Sequence, residues 1–203
     1  MSQVLMTLDA PYADREAKGE SGDVSADLVA RLRGGDVAAL GEAYDRHQAH
    51  VRAFARRFVG DDASAEDIVQ ETFVGLPGAI RGFRGTAPFR TFLIGVALNH
   101  ARHHVRAAAR RRSATDRLAS EPPPPRGAGP ERELQEAELA RALARAPDEL
   151  SLDHRATFVL CELEERTSVE ASVILGVPEA TVRTRLLHAK KQLRVWFERR
   201  GVR

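Results

Sequence analysis

Four consecutive prolines in "SEPPPPRGAGPE", residues 120–131, interrupt a chain whose patterning is otherwise helical. Proline lacks a backbone donor and fixes φ, and glycine brings no side chain to bury, so this stretch neither propagates a helix nor joins a core. The chain is thereby divided. An all-α pair of small domains is expected over residues 24–112 and 131–203, joined by a Pro/Gly-rich linker over 113–130. Residues 1–23 are polar with no sustained period and are expected to form a disordered tail. At 43% apolar content, the 203 residues suffice for a core.

Periodicity supports helices in both halves, and no strand-like alternation or internal repeat stands out. Leu40, Tyr44, His47, Val51, Phe54 and Phe58 recur at steps of three and four residues, predicting a helix from near Asp36 to Gly60. "SAED" reads as a capping box starting a second helix at Ser64, with Ile68, Val69, Thr72, Phe73 and Leu76 as its apolar positions and Pro77–Gly78 as its stop. A third helix is predicted from about Pro88 past Val105. Beyond the linker, "LARALARAPDEL" and "DHRATFVLCELEER" give two segments punctuated by Pro147. Then follow a capping box at Thr167–Glu170, a short helix, Gly176 at a turn, Pro178 at a first helical position and a long basic helix. That order predicts a helix-turn-helix.

Charge is segregated although the formal net charge is only +2. All charged residues from Gly60 to Ile80 are acidic, whereas Arg81 to Arg112 contains eight arginines and no Asp or Glu. The acidic helix carries Asp67, Gln70 and Glu71 opposite its apolar side, which suits either a solvated face or docking on a basic partner. The third helix, burying Phe89, Leu93, Val96 and Ala97, leaves Phe92, Asn99, Arg102 and Arg106 elsewhere. Aromatic rings and guanidinium planes stack on unpaired bases, an amide reads base edges, and arginines neutralise phosphate. In the last helix Val182, Leu186, Ala189 and Leu193 form one stripe, with Arg183, Thr184, Leu187, His188, Lys190, Lys191 and Arg194 largely outside it. Such a helix enters the major groove, where arginine reads guanine and other cations pair with phosphate.

Other chemistry finds little support. Cys161 lies in the apolar run "TFVLCEL", where a buried structural thiol is expected rather than a nucleophile, and one cysteine excludes a disulfide framework. His100, His103 and His104 have helical spacing, but no carboxylate or thiolate lies nearby in sequence to complete a metal site. There is no Gly-rich phosphate loop or nucleophile elbow, so neither enzymatic activity nor a cofactor is expected. The opening residues lack a signal-peptide pattern, and no window approaches a membrane span; the expected location is the cytoplasm, without membrane insertion.

Taken together, "ASAEDIVQETFVGL", "FRGTAPFRTFLIGVALNHARHHVR" and "RATFVLCELEERTSVEASVILGVPEATVRTRLLHAKKQL" resemble a sigma-70 family RNA polymerase sigma factor of the extracytoplasmic-function type. The resemblance implies a region 2 bundle over 24–112 and a region 4 helix-turn-helix domain over 131–203. It implies that Asp67, Ile68, Gln70, Glu71 and Phe73 bind the beta-prime clamp of the polymerase core. Phe92, Asn99, Arg102 and Arg106 would recognise and melt the -10 element. Arg183, Thr184, Arg185, Leu187, His188 and Lys191 would read the -35 element while the domain's outer surface meets the beta flap. The linker would thread between the domains inside the enzyme, and an anti-sigma factor is a further implied partner. Departures from the family pattern are Pro77, Phe92, His103, Ser172 and Ala180. The rival reading is a stand-alone dimeric helix-turn-helix regulator, which would bind symmetric half-sites.

Overall fold

The computed structural model describes residues 26–115 and 150–199, with seven α-helices and no strand among them. The expected tail over 1–23, the linker from residue 116 onward and the segment around Pro147 lie outside the described residues. Helix α1 spans Ala26–Arg33, α2 Val37–Val59, α3 Asp62–Ala79 and α4 Phe89–Thr115. In the second half are α5, Leu152–Phe158, α6, Ser168–Leu175, and α7, Glu179–Arg199.

Local chemistry sets most of the helix ends. The Asp36 carboxylate accepts from the Ala38 amide at the start of α2, and Gly60, at φ 87°, lets the chain turn left-handed at its end. The start of α3 differs from the expected capping box at Ser64. Asp61 is the cap, its carboxylate accepting from the Ser64 amide at 2.8 Å, and the helix begins two residues earlier. Pro77 does not end α3 either; the helix runs to Ala79 and tightens into a 3₁₀ turn over Ile80–Gly82. Leu76 and Ile80 are both fully buried, and that tertiary packing outweighs the hydrogen bond Pro77 cannot make. Helix α4 continues to Thr115, three residues into the segment expected to be linker.

In the first half α2, α3 and α4 pack against one another, with α1 closing over α2 and the 3₁₀ turn. Phe54, Phe58, Phe89, Ile68, Leu76 and Leu93 form its centre, each contributing about 1.5–3 kcal/mol by leaving water. In the second half α5 and α6 pack on α7. Helix α5 leads into a widened π-helical turn over Val159–Leu163, closed by the Glu164 amide donating to the Val159 carbonyl at 2.9 Å. The extra residue in this turn accompanies the burial of Val159, Leu160, Cys161 and Leu163 together.

The halves share one core. Helix α6 packs on α4, and the π-helical turn packs on α2. Arg57 of α2 pairs with Glu164 at 2.5 Å, and the guanidinium of the buried Arg155 lies over the Phe58 ring at 5.9 Å. On α4, Ile94, Leu98 and Ala101 are buried in addition to Phe89, Leu93 and Ala97, whereas Val96 is only half-buried.

Candidate functional site

Helix α3 turns its acids outward because Ala65, Ile68, Val69, Thr72, Phe73 and Leu76 occupy its inner face. Asp67, Gln70 and Glu71 are exposed, as the two-sided pattern predicts. Ile68 and Phe73 are not on that surface. Ile68 is fully buried, and Phe73 meets Tyr44 edge to face at 5.0 Å, so both hold the helix in place. Val74, exposed on the same helix, adds an apolar position that the polar pattern did not single out. Glu71 Oε2 pairs with His100 Nδ1 at 3.1 Å, tying the acidic helix to α4 beside Asn99.

Along α4, Asn99 and Arg106 are exposed. Phe92 is half-buried in a cluster with Phe83 and Phe89, ring centroids 5.1 and 6.1 Å away. Arg102 is turned away from solvent: its side chain retains 17% exposure and its Nη2 donates to Asp153 Oδ1 at 2.7 Å. Burial lowers the Arg102 pKa from its ordinary value, Asp153 counteracts, and Arg106 and Arg185 lower it further.

The helix-turn-helix forms as its sequence signals predict. Thr167 caps α6 reciprocally with Glu170, and Gly176 sits at φ 65° in the turn. Pro178 immediately precedes α7, its carbonyl accepting from the Thr181 and Val182 amides, so it occupies the cap and not the first helical position. Val182, Leu186, Ala189 and Leu193 are buried, and Arg183, Thr184, Leu187, His188 and Lys191 are exposed. Leu187, at 68% exposure, offers an apolar contact of the kind a thymine methyl accepts. Arg183 is held by Glu179 at 2.5 Å, the Thr184 hydroxyl donates to the Ala180 carbonyl at 3.0 Å, and the His188 ring stacks on His154 at 6.0 Å.

Two cations of α7 have other partners. Lys190, 12% exposed, pairs with Glu162 at 2.9 Å behind the helix and is removed from the outward set. Arg185 lies 2.9 Å from Asp153 Oδ2. Sequence reasoning did not single out Asp153, whose only local signal is an acid in the first turn of a helix. Cys161 is a buried thiol whose pKa is pushed up to about 12 by burial. No helix among the described residues is long and apolar enough to cross a membrane.

Residues 43–111 match Sigma-70 region 2, and residues 140–193 match Sigma-70, region 4. The ECF RNA polymerase sigma-E factor of Salmonella typhimurium is 30% identical over 173 residues, covering 82% of this chain and 90% of that protein. The RNA polymerase sigma-H factor of Pseudomonas aeruginosa is 28% identical over the same span. Among solved structures, CnrH in complex with the cytosolic domain of CnrY aligns with a TM-score of 0.57 at 25% identity, over 85% of this chain and 96% of that one. The sigma factor RpoE from Bartonella quintana, bound to the anti-sigma factor NepR, agrees in fold with a TM-score of 0.55 at 19% identity, over 80% and 98% of the two chains. The chain belongs to the sigma-70 family and is a non-enzymatic transcription initiation factor, an alternative sigma factor of the ECF type.

Proposed function

We propose that the chain docks on RNA polymerase core through Asp67, Gln70 and Glu71, reads and opens the promoter -10 element with Asn99 and Arg106 of α4, and reads the -35 element with Arg183, Thr184, Leu187, His188 and Lys191 of α7. Half-buried Phe92 adds an aromatic contact on the same helix. Arg102 and Arg185 join these sets once they are released from Asp153. One observation carries the reading: α4 and α7, in different halves, each bury an apolar face and leave a different donor-bearing face outward. Two unlike DNA surfaces on one chain suit an asymmetric promoter, and a dimer reading symmetric half-sites needs only one.

The chemistry of opening follows from selective binding. Unpaired bases are held by an amide edge and by guanidinium groups that are matched less well by closed duplex, so binding draws the equilibrium toward the melted state. The -35 contacts work on intact duplex, where base edges are read in the major groove and Lys191 pairs with phosphate. A factor working on polymerase and chromosomal promoters acts in the cytoplasm. CnrH is seen with the cytosolic domain of CnrY and RpoE with the anti-sigma factor NepR, which supports regulation of this chain by a partner protein of the anti-sigma kind covering its polymerase-docking surface.

Run-off transcription tests the reading, using purified bacterial core polymerase, the full chain and fragmented DNA from its source. Initiation at discrete sites only when the chain is added is the expected result. Duplex binding as a dimer, with no initiation on any compatible core, would favour the stand-alone regulator instead.

A further inference from the structure

Asp153, in the first turn of α5, receives guanidinium groups from both basic helices. Arg102 of α4 donates to Oδ1 at 2.7 Å, and an Arg185 nitrogen of α7 lies 2.9 Å from Oδ2. One carboxylate thus links a residue expected at the -10 element to one expected at the -35 element. We propose that this triad is an autoinhibitory clasp: in the free chain Asp153 occupies the guanidinium faces that promoter phosphates would take and holds the halves closed. The inference rests on the reading of α4 and α7 as promoter-contacting helices.

Carboxylate and phosphate both offer paired oxygens to a guanidinium, so Asp153 and the DNA backbone compete for the same donors. Access follows the same logic. The Arg102 and Arg185 side chains are only 17% and 24% exposed, and Arg102 lies where the halves meet. Engagement of both arginines by DNA therefore requires their separation from Asp153.

The closed state also contains the means of its release. Arg102 Nε is buried without a hydrogen-bond partner, a cost that opening to water or phosphate removes. The triad carries two cations and one anion, so a phosphate brought near it relieves repulsion that Asp153 leaves uncompensated. A second link between the halves, Arg57 to Glu164 at 2.5 Å with the Glu164 side chain 7% exposed, acts in the same direction without touching either DNA-facing set. An acid at the start of α5 is favourable on dipole grounds alone, but that role needs neither arginine.

The test uses the full chain labelled with a donor–acceptor dye pair at Val37→Cys and Glu198→Cys, exposed positions in opposite halves. Cys161 is buried and its raised pKa keeps it out of the labelling reaction. Energy transfer in the free chain and affinity for a -35 duplex are compared for the wild type, Asp153→Asn, Arg57→Gln and a charge control, Asp45→Asn, on the exposed face of α2. Asp153→Asn is expected to lower energy transfer and raise duplex affinity roughly three- to tenfold, the scale of losing partly exposed ion pairs. Arg57→Gln should lower energy transfer as well, and it keeps the test decisive if Asp153→Asn folds poorly. Unchanged energy transfer in the folded variants, or a gain in affinity no larger than that of Asp45→Asn, overturns the clasp. Run-off transcription on core separates the two readings. Wild-type initiation with unmoved energy transfer removes the clasp alone, whereas no initiation by any of the chains removes the promoter reading on which the clasp rests.

Discussion

Asn99 and Arg183 separate the two DNA tasks most cleanly, because both are exposed and lie on helices from different halves. Asn99→Ala should impair promoter opening more than binding to closed duplex, read as a loss of permanganate reactivity at the -10 element with little change in duplex retention. Equal melting by mutant and wild type would remove Asn99 from the opening step. Arg183→Ala should relax preference at one -35 position, at a cost of about 1–3 kcal/mol if the guanidinium is bidentate to guanine, as measured by selection from a randomised site. The exposed positions were legible because an amphipathic helix reports its own two faces. Arg102, Arg185 and Lys190 were not, since what turns them aside is a carboxylate at Asp153 or Glu162 in a distant segment. Ile68 and Phe73 belong with the apolar stripe that periodicity reveals; the family resemblance added partner contact to residues whose own chemistry places them inside.

At the scale of the element, the turn that orients α7 depends on the cap of α6. Burial tends to raise the Glu170 pKa, but hydrogen bonds from the Thr167 amide and hydroxyl, together with Arg166, outweigh it and hold the carboxyl below its ordinary range. A depressed folded-state pKa means that this contribution is present above the unfolded value of about 4.3 and lost as pH falls through the folded value. Thermal unfolding followed from about pH 6 down to 3 should therefore show a smaller acid-induced loss in Glu170→Gln than in the wild type. Thr167→Ala should cost about 1 kcal/mol at neutral pH, checked by denaturant unfolding. Caps of this kind, and the glycines at 60 and 176, were legible because their chemistry is local. Glu165 was not: it takes φ 52°, a left-handed conformation glycine usually supplies, where the π-helical turn must swing back toward α6. Pro77 misled in the opposite direction, since buried neighbours kept its helix going.

For the whole molecule, two helical halves follow from the proline run, but their contact does not, because patterning identifies apolar faces without naming which face meets which. That contact includes the packing of α6 on α4, and Gly95 is where it can be probed. An added Cβ there meets only the Ile174 carbonyl, at 3.9 Å, an ordinary van der Waals distance. Gly95→Ala should fit between α4 and α6 and raise stability by about 0.5–1 kcal/mol, because alanine in a helix interior loses less backbone entropy than glycine. Gly95→Leu has the same Cβ but adds three carbons toward a packed neighbour, and close-packed interfaces do not absorb such volume without movement. Small-angle scattering should accordingly give an unchanged radius of gyration for Gly95→Ala and a larger one for Gly95→Leu, with far-ultraviolet circular dichroism retained in both. If Gly95→Leu keeps the wild-type radius and helix content, the α4–α6 contact is not what holds the free chain closed. If it expands while its helices persist, each half keeps its fold without that contact, as a chain that must place two surfaces on separate promoter elements requires.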